Sequence, residues 1–302
     1  MSRREQYNPP LFKFEAGESY PWQVFDRVTI ATVTFNRIEY TRKFLNALER
    51  YAQMPFELLV IENASEDGSR EMLRELATQW PHLRVVENRR NVGMNRALLQ
   101  IRDIVQDGMV VLTNIDIEFL SNYFLVNLQK AFHAARLNLG TSDVCFGVRL
   151  LNCEEYGFRF ATRHQTLPIP AASNALPRTS YAASSKDDSR TDHLLDEEVV
   201  VGWSDFLLGP TILPVSVFKQ FRLEELYPLM IGGDDAFMSA EMQRLGVPFG
   251  YIENGPVARH NDWPYTEDKI AFYESIATKR AVTDLPYLRW KLKHTMARFG
   301  WR

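Results

Sequence analysis

The stretch RVTIATVTF, residues 27–35, is rich in β-branched side chains and carries its one charge at its first residue. This composition is typical of a β-strand buried on both faces, as in a parallel sheet. Residues 40–52 then repeat apolar side chains at helical spacing, and Met54-Pro55 stops that pattern. A buried strand that leads through Asn36 directly into a helix predicts the start of a βαβ unit.

The same alternation continues to about residue 115. Helical patterns centred near Leu73 and Leu98 separate three more apolar runs, namely FELLVI (56–61), LRVVE (83–87) and MVVLT (109–113). Connections this short between alternating strands and helices favour right-handed crossovers and parallel strands. The sequence therefore predicts an α/β protein with an open, mainly parallel sheet and helices on both faces.

The second half of the chain is less regular. It predicts a long helix at about 121–139, a strand in VCFGVRLL, a helix from Asp234-Asp235 to Gly246, and two short strands, VPFGYI and PVARH. Residues 161–198 have no sustained period, which predicts a flexible loop that is either functional or disordered. We expect one domain over 27–262, an N-terminal extension over 1–26 and a C-terminal helical extension over 263–302.

Composition excludes several classes of protein. The formal net charge is -3, the pI is near 6.1, and no charge block occurs, so a nucleic-acid partner is not expected. Cys145 and Cys153 lack the spacing of a disulfide framework or zinc site, which favours a reducing compartment. No window approaches the roughly 20 apolar residues of a spanning helix, and no signal peptide is evident. We expect a soluble, cytoplasmic protein.

The tail PYLRWKLKHTMARFGWR, 286–302, differs from the rest of the chain. Its apolar residues fall on one helical face, and all of its charges are positive. Such a helix either lies on an anionic membrane surface or docks on the protein itself. The first alternative predicts peripheral contact with the inner face of a membrane.

Polar residues end three of the predicted strands. Asn36-Arg37, Glu62-Asn63 and the segment from Asn114 to Asp116 follow strands one, two and four. Because parallel strands share their carboxyl edge, we expect these side chains to converge on a ligand cleft. In VIENASEDGS (60–69), Ser65 and Asp67 have an alternative role as caps of a helix near Ser69. A carboxylate that ends an apolar strand, as Glu62 does, needs a partner.

The sequence contains neither GxGxxG nor GxxxxGK[ST], so a dinucleotide or Walker-type phosphate loop is not expected. Asp116 in LTNIDIEF has the chemistry to hold a divalent cation that bridges two phosphate oxygens. Taken alone, the NxD pattern is a weak signal that is more typical of a turn.

Five segments in order, RVTIATVTFNR, ELLVIENASEDGS, NRRNVGMNRAL, VVLTNIDIEF and IGGDDAFMSAEMQRLG, resemble the GT-A glycosyltransferases, specifically glycosyltransferase family 2. The resemblance covers about 27–262 and implies a Rossmann-like nucleotide-binding half followed by an acceptor half. It also implies a nucleoside diphosphate sugar donor, Mn²⁺ or Mg²⁺, and inverting transfer of a hexose or deoxyhexose. The acceptor would be a hydroxyl of a glycan or of a lipid-linked glycan, as in polysaccharide biosynthesis.

The resemblance also implies a role for individual residues. Asp116 and His260 would bind the metal, Asp235 would be the catalytic base, and Asp234 would orient the acceptor or cap its helix. The donor site would be formed by Thr34, Asn36, Arg37, Glu62, Asn91, Gly93, Arg96 and Asn114. Alternatives remain for three of these residues: both aspartates would also favour a helix N-terminus, and His260 is equally explained as a hydrogen-bonded surface residue.

Two positions depart from the family pattern. Glu62 replaces the usual Asp that contacts the base, and Asn114 replaces the first Asp of the DxD motif, which removes a negative charge near the metal. Two other functions therefore stay open. One is a nucleotidyltransferase of similar fold, although TVTFNRIEY has no glycine for a phosphate loop. The other is an inactive relative that binds nucleotides or glycans. Trp203 either stacks on a sugar or belongs to the core.

Overall fold

The computed structural model describes residues 20–52, 54–153, 161–170, 195, 197–225 and 234–262. Its first half is four parallel strands in the order β3-β2-β1-β4, joined by helices. The strands are β1 (Val28–Thr34), β2 (Glu57–Glu62), β3 (Leu83–Glu87) and β4 (Met109–Leu112), and the helices are α1 (Ile38–Tyr51), α2 (Ser69–Gln79) and α3 (Met94–Ile104). The predicted parallel α/β arrangement is confirmed.

The second half extends the same sheet. Its order continues from β4 through β9, β6, β10 and β8 to β7, and β5 pairs with β10. Only β5, β8 and β9 run against the other described strands, so the sheet is mixed and mostly parallel. The elements are β5 (Ile117–Phe119), α4 (Phe124–Leu139), β6 (Cys145–Leu150), β7 (Ala161–Pro168), β8 (Glu198–Ser204), β9 (Thr211–Pro214), α5 (Val215–Phe218), a 3₁₀ turn (Leu223–Glu225), α6 (Asp234–Leu245) and β10 (Phe249–His260).

The structure corrects the start of the predicted loop 161–198. Residues Ala161–Pro168 form β7, which pairs antiparallel with β8. Most of the strand is exposed, with only Leu167 buried, because it lies at the end of the sheet order and covers little of the core. An edge strand of this kind lacks a clear apolar alternation. Most of the remainder of that segment lies outside the described residues, as does the tail 263–302.

The two short strands predicted near residues 247–260 are one strand. β10 pairs with β6 on one side, and its register shifts between Ile252 and Val257. Residues 253–256 of β10 have no partner in β6, so the pairing is interrupted there although the strand continues. This interruption explains why the sequence suggests two strands with ENG between them.

Two apolar cores lie on opposite faces of the sheet. Ile30, Leu58 and Val60 pack with α1, α2 and α4 on one face. Ala31, Leu59 and Ile61 pack with α3, α5 and α6 on the other. This division follows from the alternation of side chains along each strand. Helices therefore cover both faces of the sheet, and its carboxyl edge is where the polar strand ends collect.

Helix α4 anchors two other parts of the chain. Its Gln129 Oε1 accepts hydrogen bonds from the backbone N–H groups of Val24 and Phe25, each at 3.0 Å. Trp22, in the predicted N-terminal extension, is fully buried in the first core. Lys130 Nζ donates to the carbonyl of Leu195 at 2.9 Å. Across the described part of the chain, no helix is both long and apolar enough to cross a bilayer.

Candidate active site

The polar residues after β2 form hydrogen bonds with the loop that follows β1. Asn36 adopts a left-handed backbone with φ of 51°, and its N–H donates to Ser65 Oγ at 3.0 Å. Its Oδ1 accepts the N–H of Glu66 at 2.8 Å. Asp67 accepts the N–H of Ile38 at 2.8 Å and that of Ser69 at 3.0 Å. The cap proposed for Asp67 is present at the starts of both α1 and α2, whereas Ser65 binds the loop after β1 instead.

Glu62 is completely buried at the end of β2. Its carboxylate accepts Arg70 Nε at 2.7 Å and the N–H groups of Ser65 at 2.6 Å and Ala64 at 3.2 Å. Arg70 also donates to the carbonyl of Asn88 at 2.9 Å. The partner that a buried carboxylate requires is therefore Arg70. In this arrangement the Glu62 carboxylate fixes the turn that follows β2. Its side chain is buried and does not face the cleft.

Thr34 and Arg37 are also held by the protein. Thr34 is 1% exposed, and its Oγ1 lies 3.1 Å from Thr41 Oγ1 in α1. Arg37 Nη1 lies 2.6 Å from Asp262 Oδ2, and the Tyr40 hydroxyl donates to Asp262 Oδ1 at 3.0 Å. The Arg37 guanidinium also lies over the Tyr40 ring, 5.1 Å from its centroid. Arg37 therefore ties the end of β1 to the chain just beyond β10.

The start of α3 contributes a second group of predicted donor residues. Asn91 Oδ1 accepts the N–H of Gly93 at 2.9 Å, and Gly93 has φ of 81°, which favours glycine. Arg96 follows in the first turn of α3, and its side chain is exposed. The turn therefore presents a guanidinium beside the amino end of a helix, where anions are favoured.

Three predicted residues from distant segments share one small cavity. Asn114 after β4 and both Asp234 and Asp235 at the start of α6 line it, together with Gly209 and Met94. Burial raises the pKa of Asp235 well above its usual value, and the charge of Asp234 raises it further. Burial also raises the pKa of Asp234. Glu62 is not among the residues that line this cavity.

Asp116 lies in the turn before β5, and His260 is the last residue of the neighbouring strand β10. The N–H of Asn261 donates to the carbonyl of Asp116 at 2.8 Å, and His260 is paired with Ile117. Asn152 fixes His260 from the other side, because its Nδ2 donates to the His260 carbonyl at 2.8 Å and its Oδ1 accepts the His260 N–H at 3.0 Å. The two predicted metal ligands are therefore neighbours in the fold.

The donor set at this edge fits a hard divalent cation. Asp116 Oδ1 is buried and has no hydrogen-bond partner within the described ranges, so it is an acceptor without a donor. No group of three or more His, Cys, Asp or Glu side chains with metal-binding geometry occurs among the described residues. Mg²⁺ and similar ions often take only one or two carboxylates and complete their coordination with water and substrate phosphates. The Asp116 carboxylate suits that pattern.

Two residues at this edge were not singled out from the sequence. Asn261 Nδ2 is a second buried polar atom without a partner among the described residues, and Asn261 lies beside Asp116. Phe35 is 40% exposed at the end of β1. Neither has a sequence signal beyond its place beside a motif residue. Trp203, by contrast, is 6% exposed and donates to Gln165 Oε1 at 2.9 Å, so it belongs to the core.

The fold is that of the GT-A glycosyltransferases. Similar solved structures include Staphylococcus aureus TarS 1–349 (TM-score 0.50, 15% identity, covering 77% of this chain and 60% of that one). Another is the mannosyltransferase PcManGT from Pyrobaculum calidifontis, in complex with GDP-Man and Mn²⁺ (0.52, 16%, 85% and 63%). A third is GalNAc-T7 with UDP, GalNAc and Mn²⁺ (0.52, 12%, 83% and 48%). The chain thus spans between about half and two thirds of their lengths.

Residues 29–177 match the family model described as glycosyl transferase family 2. This match confirms the resemblance found in the motifs of the chain. A comparison with curated proteins gives no match.

Proposed function

We propose that this protein is a metal-assisted, inverting glycosyltransferase. It would move a hexose or deoxyhexose from a nucleoside diphosphate to a hydroxyl of a glycan or lipid-linked acceptor. The observation that carries the proposal is the cavity shared by Asn114, Asp234 and Asp235, which two distant segments, the end of β4 and the start of α6, bring together. The family 2 match and the donors named for PcManGT and GalNAc-T7 support the class of substrate.

Asp235 has the properties of a general base. Its pKa is raised by burial and then by Asp234, which brings proton uptake closer to neutral pH. The acceptor hydroxyl would pass its proton to this carboxylate as its oxygen bonds to the sugar carbon. The bond from that carbon to the diphosphate breaks at the same time, and the diphosphate keeps the electron pair. Approach from the face opposite the leaving group gives inversion.

Charge on the departing diphosphate needs compensation at the same edge. Asp116 and His260 would hold a bound Mn²⁺ or Mg²⁺, which supplies positive charge to the phosphate oxygens. Arg96 at the start of α3 is an exposed cation for the same anion. Asn114, Asn91 and Gly93 would contact the donor, whereas Thr34, Asn36 and Glu62 shape the loops beneath it through their hydrogen bonds.

A thermal-shift panel tests the proposal. UDP, GDP, dTDP and their sugars are added to the full chain with and without MnCl₂, and nucleoside diphosphate release is measured in parallel. We expect Asp116→Asn to lose the manganese-dependent part of the shift. Asp235→Asn should keep the shift and lose turnover by about a hundredfold or more. Asp143→Asn, an exposed carboxylate before β6, is the matched control and should change neither.

The outcomes separate three functions. Release of a nucleoside diphosphate that depends on Asp235 supports the transferase. A thermal shift with a donor, but no release of nucleoside diphosphate from any donor, supports a binding protein. Asn114 in place of aspartate suggests that function. Release of pyrophosphate from a nucleoside triphosphate and a sugar phosphate would identify a nucleotidyltransferase. Equal loss of donor binding in Asp116→Asn and Asp235→Asn would contradict the roles given to these two residues.

A further inference from the structure

Residues 207–209 form a short bracket whose three consecutive N–H groups each meet a side chain of another element. The N–H of Leu207 donates to Ser239 Oγ at 3.1 Å, and the N–H of Leu208 donates to the Tyr251 hydroxyl at 2.7 Å. Gly209 lines the same cavity as Asp235, and a hydrogen bond from its N–H lowers the pKa of the Asp235 carboxyl. The bracket therefore connects α6, which carries Asp235, to the middle of the sheet.

The Tyr251 ring packs in the space left by a glycine on the neighbouring strand. It is 1% exposed on β10, and its partners in register are Gly147 on β6 and Gly202 on β8. A Cβ on Gly147 would lie 3.1 Å from the Tyr251 ring, a contact too tight for an ordinary side chain. The missing side chain at Gly147 lets the ring lie across β6 and brings the hydroxyl to Leu208.

We propose that Tyr251 is a positioning residue for Asp235, acting through the bracket 207–209. The proposal rests on the proposed function in taking Asp235 as the base. Tyr251 accepts the Leu208 N–H, which fixes the peptide that precedes Gly209. With that acceptor removed, the Leu208 N–H loses its partner in the protein interior and the bracket must move to regain one. Gly209 moves with it, so Asp235 loses a hydrogen-bond donor and its fixed orientation.

Ser239 gives the bracket its second attachment. Its hydroxyl donates to the carbonyl of Asp235 at 2.8 Å while it accepts the Leu207 N–H. The same side chain thus touches both the bracket and the residue that the bracket supports. Removal of the Ser239 hydroxyl should act on Asp235 in the same direction as removal of the Tyr251 hydroxyl.

Few other charged groups face Asp235 from the described elements. The cavity lining contributes Met94 from α3 and Asn114 after β4, both uncharged, and Asp234 from the same helix. β10 contributes Tyr251, and burial raises the pKa of its hydroxyl, so it stays neutral near pH 7. A change in the titration of Asp235 after mutation of Tyr251 therefore reports on the bracket and on Asp234.

The direct test is the titration of Asp235 in Tyr251→Phe, followed by ¹³C NMR of the carboxyl carbons. The Asp235 signal is identified by its loss in Asp235→Asn, and Asp234 is followed with it because the two sites titrate together. We expect the midpoint for Asp235 to rise by about one pH unit, since one hydrogen bond to the charged form is lost. Tyr51→Phe, which removes a half-buried hydroxyl from α1, should leave it unchanged.

Turnover provides the second readout. Nucleoside diphosphate release is measured with UDP-glucose, UDP-N-acetylglucosamine, GDP-mannose and dTDP-rhamnose in the presence of MnCl₂. We expect kcat in Tyr251→Phe to fall about tenfold to a hundredfold, with KM for the donor unchanged, because only the base is displaced. The acid limb of the pH profile of kcat should move to higher pH by the same amount as the Asp235 midpoint measured by NMR.

Each outcome decides the proposal. An unchanged Asp235 midpoint in folded Tyr251→Phe would overturn it. If Tyr251→Phe does not fold, Ser239→Ala takes its place on the same signal, and an unchanged midpoint there has the same consequence. A shifted midpoint in a protein that releases no nucleoside diphosphate would leave the positioning role standing and reject the proposed function.

Discussion

Arg37 and Asp262 form an ion pair with 2.6 Å between Nη1 and Oδ2, although 225 residues separate them in the chain. The pair joins the loop after β1 to the residues that follow β10, and His260 lies two residues before Asp262. Both side chains are partly buried, at 30% and 13% exposure. The contact therefore connects the first and the last described strands of the chain at the candidate site.

We expect a double-mutant cycle of Arg37→Met and Asp262→Asn to give a coupling free energy of about 1 kcal/mol in urea unfolding. The matched control is Arg42–Glu39 within α1, whose side chains are 53% and 72% exposed. That pair should couple by only a few tenths of a kcal/mol, because water screens it. Equal coupling free energies in the two pairs would mean that Arg37–Asp262 contributes no more to stability than an exposed ion pair does.

Arg70→Met should destabilise the protein by about 3 kcal/mol, because it leaves the Glu62 carboxylate buried without its cation. Replacing Glu62 by glutamine in the same chain should recover part of that loss, because the amide oxygen still accepts a backbone N–H and carries no charge. Arg74→Met is the control, since Arg74 is 56% exposed where it pairs with Glu87. It should lower the unfolding free energy much less than Arg70→Met does, because water screens the pair. Equal costs for the two arginines would argue against a structural role for Glu62.

Asn152→Ala removes both hydrogen bonds that hold the backbone of His260. If His260 helps to bind the metal, the variant should lower the manganese-dependent part of the thermal shift while keeping the metal-independent part. Asn138→Ala also removes two side-chain bonds to backbone carbonyls, those of Ala134 and Pro168, but on α4. Its manganese response should stay as in the wild type. The same reduction in both variants would assign the effect to general destabilisation.

Glu241 makes stability depend on acid pH. Burial alone would raise its pKa, but hydrogen bonds from Arg244 and Arg222 outweigh burial and lower the pKa from 4.5 to about 2. This stabilisation is complete above about pH 4.5 and is lost as the pH falls toward 2. Both arginines are partly exposed, so screening limits the effect to about 1 to 2 kcal/mol.

Glu241→Gln should therefore lower the unfolding free energy at pH 7 and flatten its decline between pH 4.5 and 3. The measurement is urea unfolding at several pH values. Glu225→Gln serves as the control, because Glu225 meets Arg222 at 3.3 Å but is 47% exposed. An unchanged acid slope in Glu241→Gln would show that other carboxylates dominate acid unfolding.

The parallel strands β1 to β4 could be predicted because β1, β2 and β4 are almost entirely buried apolar runs and the helices between the strands repeat their apolar residues at helical spacing. β7 could not, because an edge strand has one poorly covered face and so loses the alternation that marks a strand. The register shift in β10 likewise interrupts the apolar pattern of the sequence, although the strand itself continues. These differences come from tertiary position, which local periodicity does not contain.

For the candidate site, the sequence predicted which segments meet but not the contacts of each side chain. The motif order indicated which segments meet, and Asn114, Asp234 and Asp235 do line one cavity. The local chemistry of Glu62 was not predictable, because its cation, Arg70, stands on the next helix as one of several arginines. Thr34 shows the same limit: its hydroxyl faces Thr41 rather than the cleft. Sequence order places a side chain at a sheet edge but does not show whether it turns inward.

The burial of Trp22 has a practical consequence for anyone who shortens this chain. Cutting at the first residue of β1 would remove an indole that is 0% exposed, and with it the two amides that Gln129 binds. An emptied site of that size costs about 3 to 5 kcal/mol, a large share of the net stability of a typical domain. A trimmed protein that begins at Val28 should therefore express poorly, and a cut site upstream of Tyr20 is the safer choice.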